Sequence, residues 1–259
     1  MKQNDKSRAA PRYHDSAQNS LFGASASRGA AKDEGSKPLR LSPTSGLNLY
    51  NDCPRCFWLH YNGRVPRPRG IFPSLPGGMD LVIKDYFDEY RGALPPELQG
   101  RIKGDLMKDV NLMNQWRNWR TGLEYFDKQR NAVLFGALDE CLVHDGKYVP
   151  LDYKTRGSAP NDGDSERYYQ TQLDAYALML EANGYPVADF AYLVYYYPKR
   201  VGEHGAVSFN IQPIELSLDA NRAKDTFEKA VDSLQKPLPN HQENCEYCSW
   251  HKNMSAFSF

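Results

Sequence analysis

Asp139, Asp152 and Lys154 are the residues whose types and spacing can do chemistry. Between the two acids lies His144-Asp145-Gly146-Lys147, and an Asp-Gly pair between apolar runs signals a two-residue type I′ hairpin. With that loop His144 faces Lys147, and stepping outward pair by pair sets Asp139 directly opposite Asp152. The alternation makes them a non-hydrogen-bonded pair, with Cα atoms about 4.5 Å apart. Pro150 falls opposite Cys141, also at a non-hydrogen-bonded position, so its missing N–H breaks no bond of this hairpin. Facing like charges destabilise a sheet, and a divalent cation held by oxygen ligands compensates them. Lys154, two residues past Asp152, shares the same face. An ammonium there can orient an attacking water or stabilise charge developing on a phosphate, and a metal can activate that water. The outline is a hydrolytic phosphodiester site. The bland alternative is a pair of strand-end acids and a surface salt bridge. A one-residue slip in the turn would send the acids to opposite faces.

Four of the five cysteines form two pairs, Cys53/Cys56 and Cys245/Cys248, near opposite ends of the folded region. With no apolar leader in the first 38 residues, such spacing reads as metal ligation rather than disulfides, and the chain as cytoplasmic. The fifth, Cys141, sits in an apolar run and reads as core.

The elements that must position these groups are legible in outline. Ser42-Pro43 is an N-cap with a first-turn proline, opening a helix through Leu47, Tyr50 and Phe57. Gly63 to Pro76 is irregular. Helices are expected near Gly78–Arg91 and Asp105–Arg120 on the spacing of their apolar residues. Ala132 to Val143 is nearly continuous apolar, the signature of a buried strand, and Tyr148 to Lys154 is its hairpin partner. Tyr168 to Ala182 is a helix ended by Asn183-Gly184, Phe190–Tyr197 and Val207–Leu216 are strands, and a polar helix spans Ala220–Leu234. This order predicts a mixed α/β domain. Residues 1–38, rich in Ser, Ala, Gly and Lys, are expected to be a disordered tail, leaving 39–259 as one domain.

Basic and acidic residues balance, 32 against 32, which argues against a protein that simply coats nucleic acid and requires local positive patches. Arg64, Arg67 and Arg69, and separately Arg117, Arg120, Lys128 and Arg130, are candidates. Trp116 and Trp119 can stack bases or pack a core, and so can Tyr195-Tyr196-Tyr197. No apolar run is long enough to span a membrane.

Taken together, Gly136-Ala-Leu-Asp139, Asp152-Tyr-Lys154 and Gln172-Leu-Asp-Ala-Tyr176 resemble the ordered motifs of RecB-like PD-(D/E)XK nucleases. The flanking Cys53-Pro-Arg-Cys56-Phe-Trp and Cys245-Glu-Tyr-Cys248 resemble their iron–sulfur branch, which includes CRISPR-associated RecB-family exonucleases and AddB-type nuclease domains. The likeness spans about Leu41 to Trp250. It implies a restriction-endonuclease-like core, a mixed sheet flanked by helices, joined end to end by the cysteines. It implies Mg²⁺ or Mn²⁺ held by Asp139, Asp152 and the Tyr153 carbonyl, with Lys154 as catalytic lysine. Gln172 is then expected to face the site and DNA, and Tyr176 to fix its helix against the sheet; a core stripe of Tyr169, Leu173, Tyr176 and Leu180 explains Tyr176 equally.

Two departures from the pattern stand out. Many relatives place a metal-binding histidine on the earlier helix, where this chain has Asp80, which is either a further ligand or a solvated helix acid. Relatives commonly draw one cysteine from the N-terminal segment and three from the C-terminal end, whereas here Met254 falls at the last place and Cys56 restores the count. The four thiols suit a 4Fe–4S cluster, as the resemblance implies, or structural Zn²⁺, in which His251 could replace one thiol. The implied activity is hydrolysis of DNA, exonucleolytic and on single strands or DNA ends, alongside helicase, CRISPR or recombination partner proteins. The alternatives are a nucleic-acid-binding or assembly module without catalysis, and a structural metal protein.

Overall fold

The computed structural model describes residues 37–68, 70, 74–255 and 257. The expected tail therefore lies, except for Lys37 and Pro38, outside the described residues, as does Arg69.

The chain enters as β1 (Leu39–Leu41). Ser42 then caps a helical run, its Oγ accepting the Ser45 N–H at 3.1 Å, with Pro43 in the first turn. The run is π-helical over Pro43–Asn48 and continues as α1 (Leu49–Asp52). It does not reach Phe57 unbroken. Cys53 is extended (φ −158°, ψ 103°) because Pro54 crowds the helical conformation of the residue before it. The chain restarts as α2 (Pro54–Tyr61).

Next come α3 (Ser74–Asp88), β2 (Asp105–Leu106) and α4 (Val110–Arg117). The helix expected from Asp105 thus starts late, because Leu106 pairs with Leu142 in a sheet and Asp109 supplies the cap, accepting the Leu112 N–H at 2.9 Å. Then follow β3 (Leu123–Asp127), β4 (Ala132–Gly136), β5 (Glu140–His144), β6 (Lys147–Thr155), α5 (Asp164–Ala182), β7 (Phe190–Val201), β8 (Val207–Ser217), α6 (Ala220–Ser233) and α7 (Glu246–Met254).

Two sheets form, ordered β1-β4-β3 and β2-β5-β6-β7-β8. The apolar run from Ala132 to Val143 is not one strand. It divides between the two sheets, because the end of α4 captures the backbone in between. Leu138 N–H donates to the Trp116 carbonyl at 3.0 Å, and Arg117 Nε donates to the Asp139 carbonyl at 2.9 Å. A Cβ at Gly136 would stand 2.8 Å from Met179 Cε of α5, so a larger residue at this corner would make the end of that flexible side chain move.

The five-stranded sheet is mixed. β6 runs parallel to β7, with α5 as the crossover, and its other pairings are antiparallel. Alternation divides its side chains between two cores. Cys141, Leu193 and Tyr195 pack with α4, α5 and α6. Leu142, Val149, Leu151 and Tyr153 pack with Ile83 and Phe87 of α3. No helix among the described residues is long and apolar enough to cross a membrane.

Candidate active site

The hairpin forms as its sequence dictates. Asp145 and Gly146 both adopt positive φ (48° and 76°), as a type I′ loop requires. His144 pairs with Lys147, Cys141 with Pro150 and Glu140 with Leu151. The next step in that register is Asp139 opposite Asp152. β5 ends at Glu140, so Asp139 sits in a bend just outside the ladder. The Cys141 N–H points away from Pro150 and donates to Glu140 Oε1 at 2.8 Å.

Asp152 is fully buried, and among the described residues no backbone N–H or neutral side chain donates to its carboxylate oxygens. Its one cationic neighbour is Lys154, in direct ion contact. Burial drives its carboxyl upward from the ordinary range, Lys154 opposes the rise and Asp139 adds to it. Asp139 moves down: burial would raise it, but Lys84, Asp152 and Lys154 together outweigh that. Lys154 is itself four-fifths enclosed and lies over the Tyr169 ring, 4.9 Å from its centroid. Burial would lower its ammonium, and Asp152 holds it above its usual value.

Lys84 was not anticipated. Its Nζ lies 2.9 Å from Asp80 Oδ2 and 3.0 Å from Asp139 Oδ1, bridging α3 to the bend before β5. An i, i+4 acid–lysine pair on a helix reads as ordinary surface pairing, and nothing in the sequence places Asp139 beside it. Asp80, Asp139, Tyr153, Lys154 and Thr155, with Pro76 and Gly77, line a cleft of about 330 Å³.

Gln172 and Tyr176 sit one turn apart on α5, both buried, with Gln172 Nε2 donating to Tyr176 Oη at 2.6 Å. Asp152 and Asp139 lie near enough to help burial push the Tyr176 phenol upward. The structure thus brings Asp80, Asp139, Asp152, Tyr153, Lys154, Gln172 and Tyr176 into one neighbourhood.

Behind the site lies a second set of charges absent from the expectations. Glu140, fully buried, takes bonds from Arg91 Nη1 and Nη2, each at 2.7 Å, and from Arg117 Nη2 at 2.8 Å. Asp88 takes Arg117 Nη1 at 3.0 Å and also contacts Arg91. Arg117, one of the basic residues that could have met phosphate, is a structural cation committed to Asp88 and Glu140. Trp116 is core, as are Tyr195 and Tyr196, so none is a base platform. Arg130 is committed to Asp127 and Asp232. Trp119 is exposed, with Arg120 over its ring.

The buried Asp152 carboxylate, Asp139 opposite it and Asp80 across the cleft are three hard oxygen donors, paired here with Lys154 and Lys84, and such a donor set fits Mg²⁺ or Mn²⁺.

The four paired cysteines also converge. Cys53, Cys56, Cys245 and Cys248 are all buried, with their Sγ atoms within 4.8 Å of one another. His251 is not among them; its Nδ1 meets His241 Nε2 at 3.2 Å on the surface. Cys141 is core, as expected.

Residues 83–252 match the PD-(D/E)XK nuclease superfamily. The chain belongs to that superfamily. The match holds Lys84, the acid hairpin, Gln172 and Tyr176 of α5, and the second cysteine pair, while Asp80, Cys53 and Cys56 precede it. No curated protein matches the chain. Superfamily membership makes this domain a nuclease fold whose chemistry is metal-dependent phosphodiester hydrolysis.

Proposed function

We propose that this PD-(D/E)XK domain is a metal-dependent deoxyribonuclease that removes nucleotides from single-stranded DNA ends. The observation that carries the proposal is the fully buried Asp152 carboxylate, opposite Asp139 and paired with the Lys154 ammonium, beside a cleft lined by Asp80, Asp139 and Lys154. Such a group is costly unless a cation or proton completes it.

Asp139, Asp152 and the Tyr153 carbonyl would hold Mg²⁺ or Mn²⁺, with Asp80 as a further carboxylate across the cleft. When bound, the ion supplies charge neutralisation and an activated water for attack at phosphorus. Lys154 acts as the catalytic lysine. Asp152 fixes its ammonium at the cleft wall, where it donates to the attacking water or to a non-bridging phosphate oxygen. Tyr176 holds Gln172 in place, and Gln172 orients the strand beside the acids. A cleft of about 330 Å³ admits one nucleotide more readily than a duplex, which favours a flexible end as substrate. A larger hollow of about 700 Å³, with Arg67, His60, Arg167, Tyr168 and Thr171 in its walls, adjoins the α5 face that carries Gln172 and offers a path for the rest of the strand. The four cysteines tie the start of the domain to its end and serve folding.

The test is end-labelled single-stranded DNA with anaerobically purified protein and Mn²⁺ or Mg²⁺, run beside Asp152→Ala. Stepwise shortening that disappears in the variant supports the proposal. Internal fragments would replace the exonuclease with an endonuclease. A folded, metal-loaded protein that leaves every substrate intact would overturn the enzyme.

One observation favours a second reading, an assembly or nucleic-acid-binding module without catalysis. Lys84 already neutralises Asp139 and Asp80, which a catalytic ion would otherwise do. Binding of labelled single-stranded DNA without cleavage, unaffected by Asp152→Ala, would select it.

A further inference from the structure

The four thiols are arranged with a symmetry that constrains what they bind. Cys53 stands at the N-cap of α2 and Cys245 at the N-cap of α7, and in each helix the second cysteine follows three residues later. The two turns face each other crosswise. Cys53 Sγ is 3.6 Å from Cys248 Sγ, and Cys56 Sγ is 3.7 Å from Cys245 Sγ. All four sulfurs lie within 4.8 Å of one another.

Those separations bear on the size of group the four sulfurs can enclose as they stand. Four thiolates about 2.3 Å from one tetrahedral ion stand roughly 3.8 Å apart. In a four-iron cluster each cysteine binds a different iron at an outer corner, which spreads the sulfurs to on the order of 6 Å. A disulfide would bring a pair to about 2 Å. The two cross-pair distances, 3.6 and 3.7 Å, match the single ion, and the 4.8 Å limit on the others falls short of the cluster's spread.

We infer that Cys53, Cys56, Cys245 and Cys248 hold one Zn²⁺ ion in an all-sulfur tetrahedral site rather than an iron–sulfur cluster. Four thiolates around a divalent ion leave a double negative charge, and the surroundings are built to receive it. Arg67 Nη2 donates to Cys245 Sγ at 3.3 Å, while the same guanidinium stacks 4.6 Å from the Tyr247 ring and pairs with Asp52. The Cys56 N–H points at Cys53 Sγ at 3.4 Å. Such outer hydrogen bonds orient thiolate ligands and temper their reactivity. All four sulfurs are buried, so the site is closed, as structural zinc sites are and catalytic ones are not.

The inference is independent of the nuclease reading, because its test does not use cleavage. The full chain is produced with iron and zinc both supplied, purified without oxygen or chelator, and analysed for metals and acid-labile sulfide. About one zinc per chain, no sulfide and no visible absorption is the expected result. Asp152→Ala should retain the same zinc, which places the ion away from the acid site. Exchange with Co²⁺ should give the intense visible spectrum of a tetrahedral thiolate centre in the native chain and in Cys141→Ser. About four iron and four sulfide per chain with charge-transfer absorption would overturn the inference. So would metal-free protein carrying two disulfides. Cys248→Ser should lose the zinc; if that variant fails to fold, the cobalt spectrum of the native chain still decides.

Discussion

Lys84 Nζ lies 3.0 Å from Asp139 Oδ1 and within hydrogen-bond reach of Asp80, so one ammonium joins the earlier helix to the bend that opens the acid hairpin. A lysine in that position stabilises the acids when no metal is present and competes with a metal when one is.

Replacing it should therefore have two opposite effects. Lys84→Met is expected to lower the melting temperature in chelator, because Asp139 and Asp80 lose their shared cation. The same variant should gain more from added Mg²⁺ or Mn²⁺ than the native chain does, by linkage. Thermal denaturation with and without metal reads both effects. Equal metal-induced shifts in the two proteins would mean that Lys84 and the ion do not compete.

Lys154 should be separable from metal binding. Lys154→Met is expected to slow cleavage by about 10²–10³, the range for losing one donor aimed at developing charge. Mn²⁺ binding, followed by its electron paramagnetic resonance signal, should persist or tighten, since the ammonium that neutralises Asp152 is gone. Loss of the bound-Mn²⁺ signal together with activity would reassign Lys154 to building the site.

Glu140 offers a test of the support behind the site. It is fully buried and receives three bonds from Arg91 and Arg117. Glu140→Ala strands two enclosed guanidinium groups, and breaking a buried ionic set this way costs about 3–5 kcal/mol. A shift of the urea midpoint measures it. Activity should fall too, since Arg117 also holds the Asp139 carbonyl.

Acid should loosen the fold by a defined route. Burial alone would raise Asp88 and Asp127. Arg117 and Arg91 hold the first below the usual carboxylate range, and Arg130 with backbone N–H groups holds the second there. A depressed folded-state value contributes stability above the unfolded value of about 3.9, and that stability drains as pH falls through the folded value. Urea midpoints should accordingly decline from about pH 5 downward. The titration is best read in Asp152→Asn, where that acid's opposite shift is absent, and adding Asp88→Asn should flatten the decline.

Much of the site was legible because a hairpin is arithmetic. Asp145-Gly146 fixes the loop, the loop fixes the register, and the register brings Asp139 to Asp152 over a distance of a few residues. The CxxC pairs were legible because their spacing already implies convergence. Contacts that depend on how elements pack were not. Lys84 reaches Asp139 only because α3 lies across the end of β5, and nothing local encodes that crossing. Arg117 looked like a phosphate ligand because its partners, Asp88 and Glu140, come from two other segments. The break after Gly136 was hidden inside an apolar run, since a residue leaving one sheet for another stays as apolar as one within a strand. There the decisive groups are backbone atoms, which composition does not report.

The cysteine clip also bears on when this protein becomes whole. Cys56 and its neighbour across the centre, Cys245, are separated by 189 positions. At about 5–20 residues per second, the first pair leaves the ribosome roughly 10–40 s before the second exists. Throughout that interval Cys53 and Cys56 are an unfinished half-site, open to oxidation and to weak, two-thiol metal capture. The hairpin and its acids are synthesised inside the same window, so the chemical centre can assemble while the clip is still open. Closing the clip then follows synthesis of the hairpin, and on the zinc proposal the supply of metal at that moment would set how much of the newly made chain is sealed.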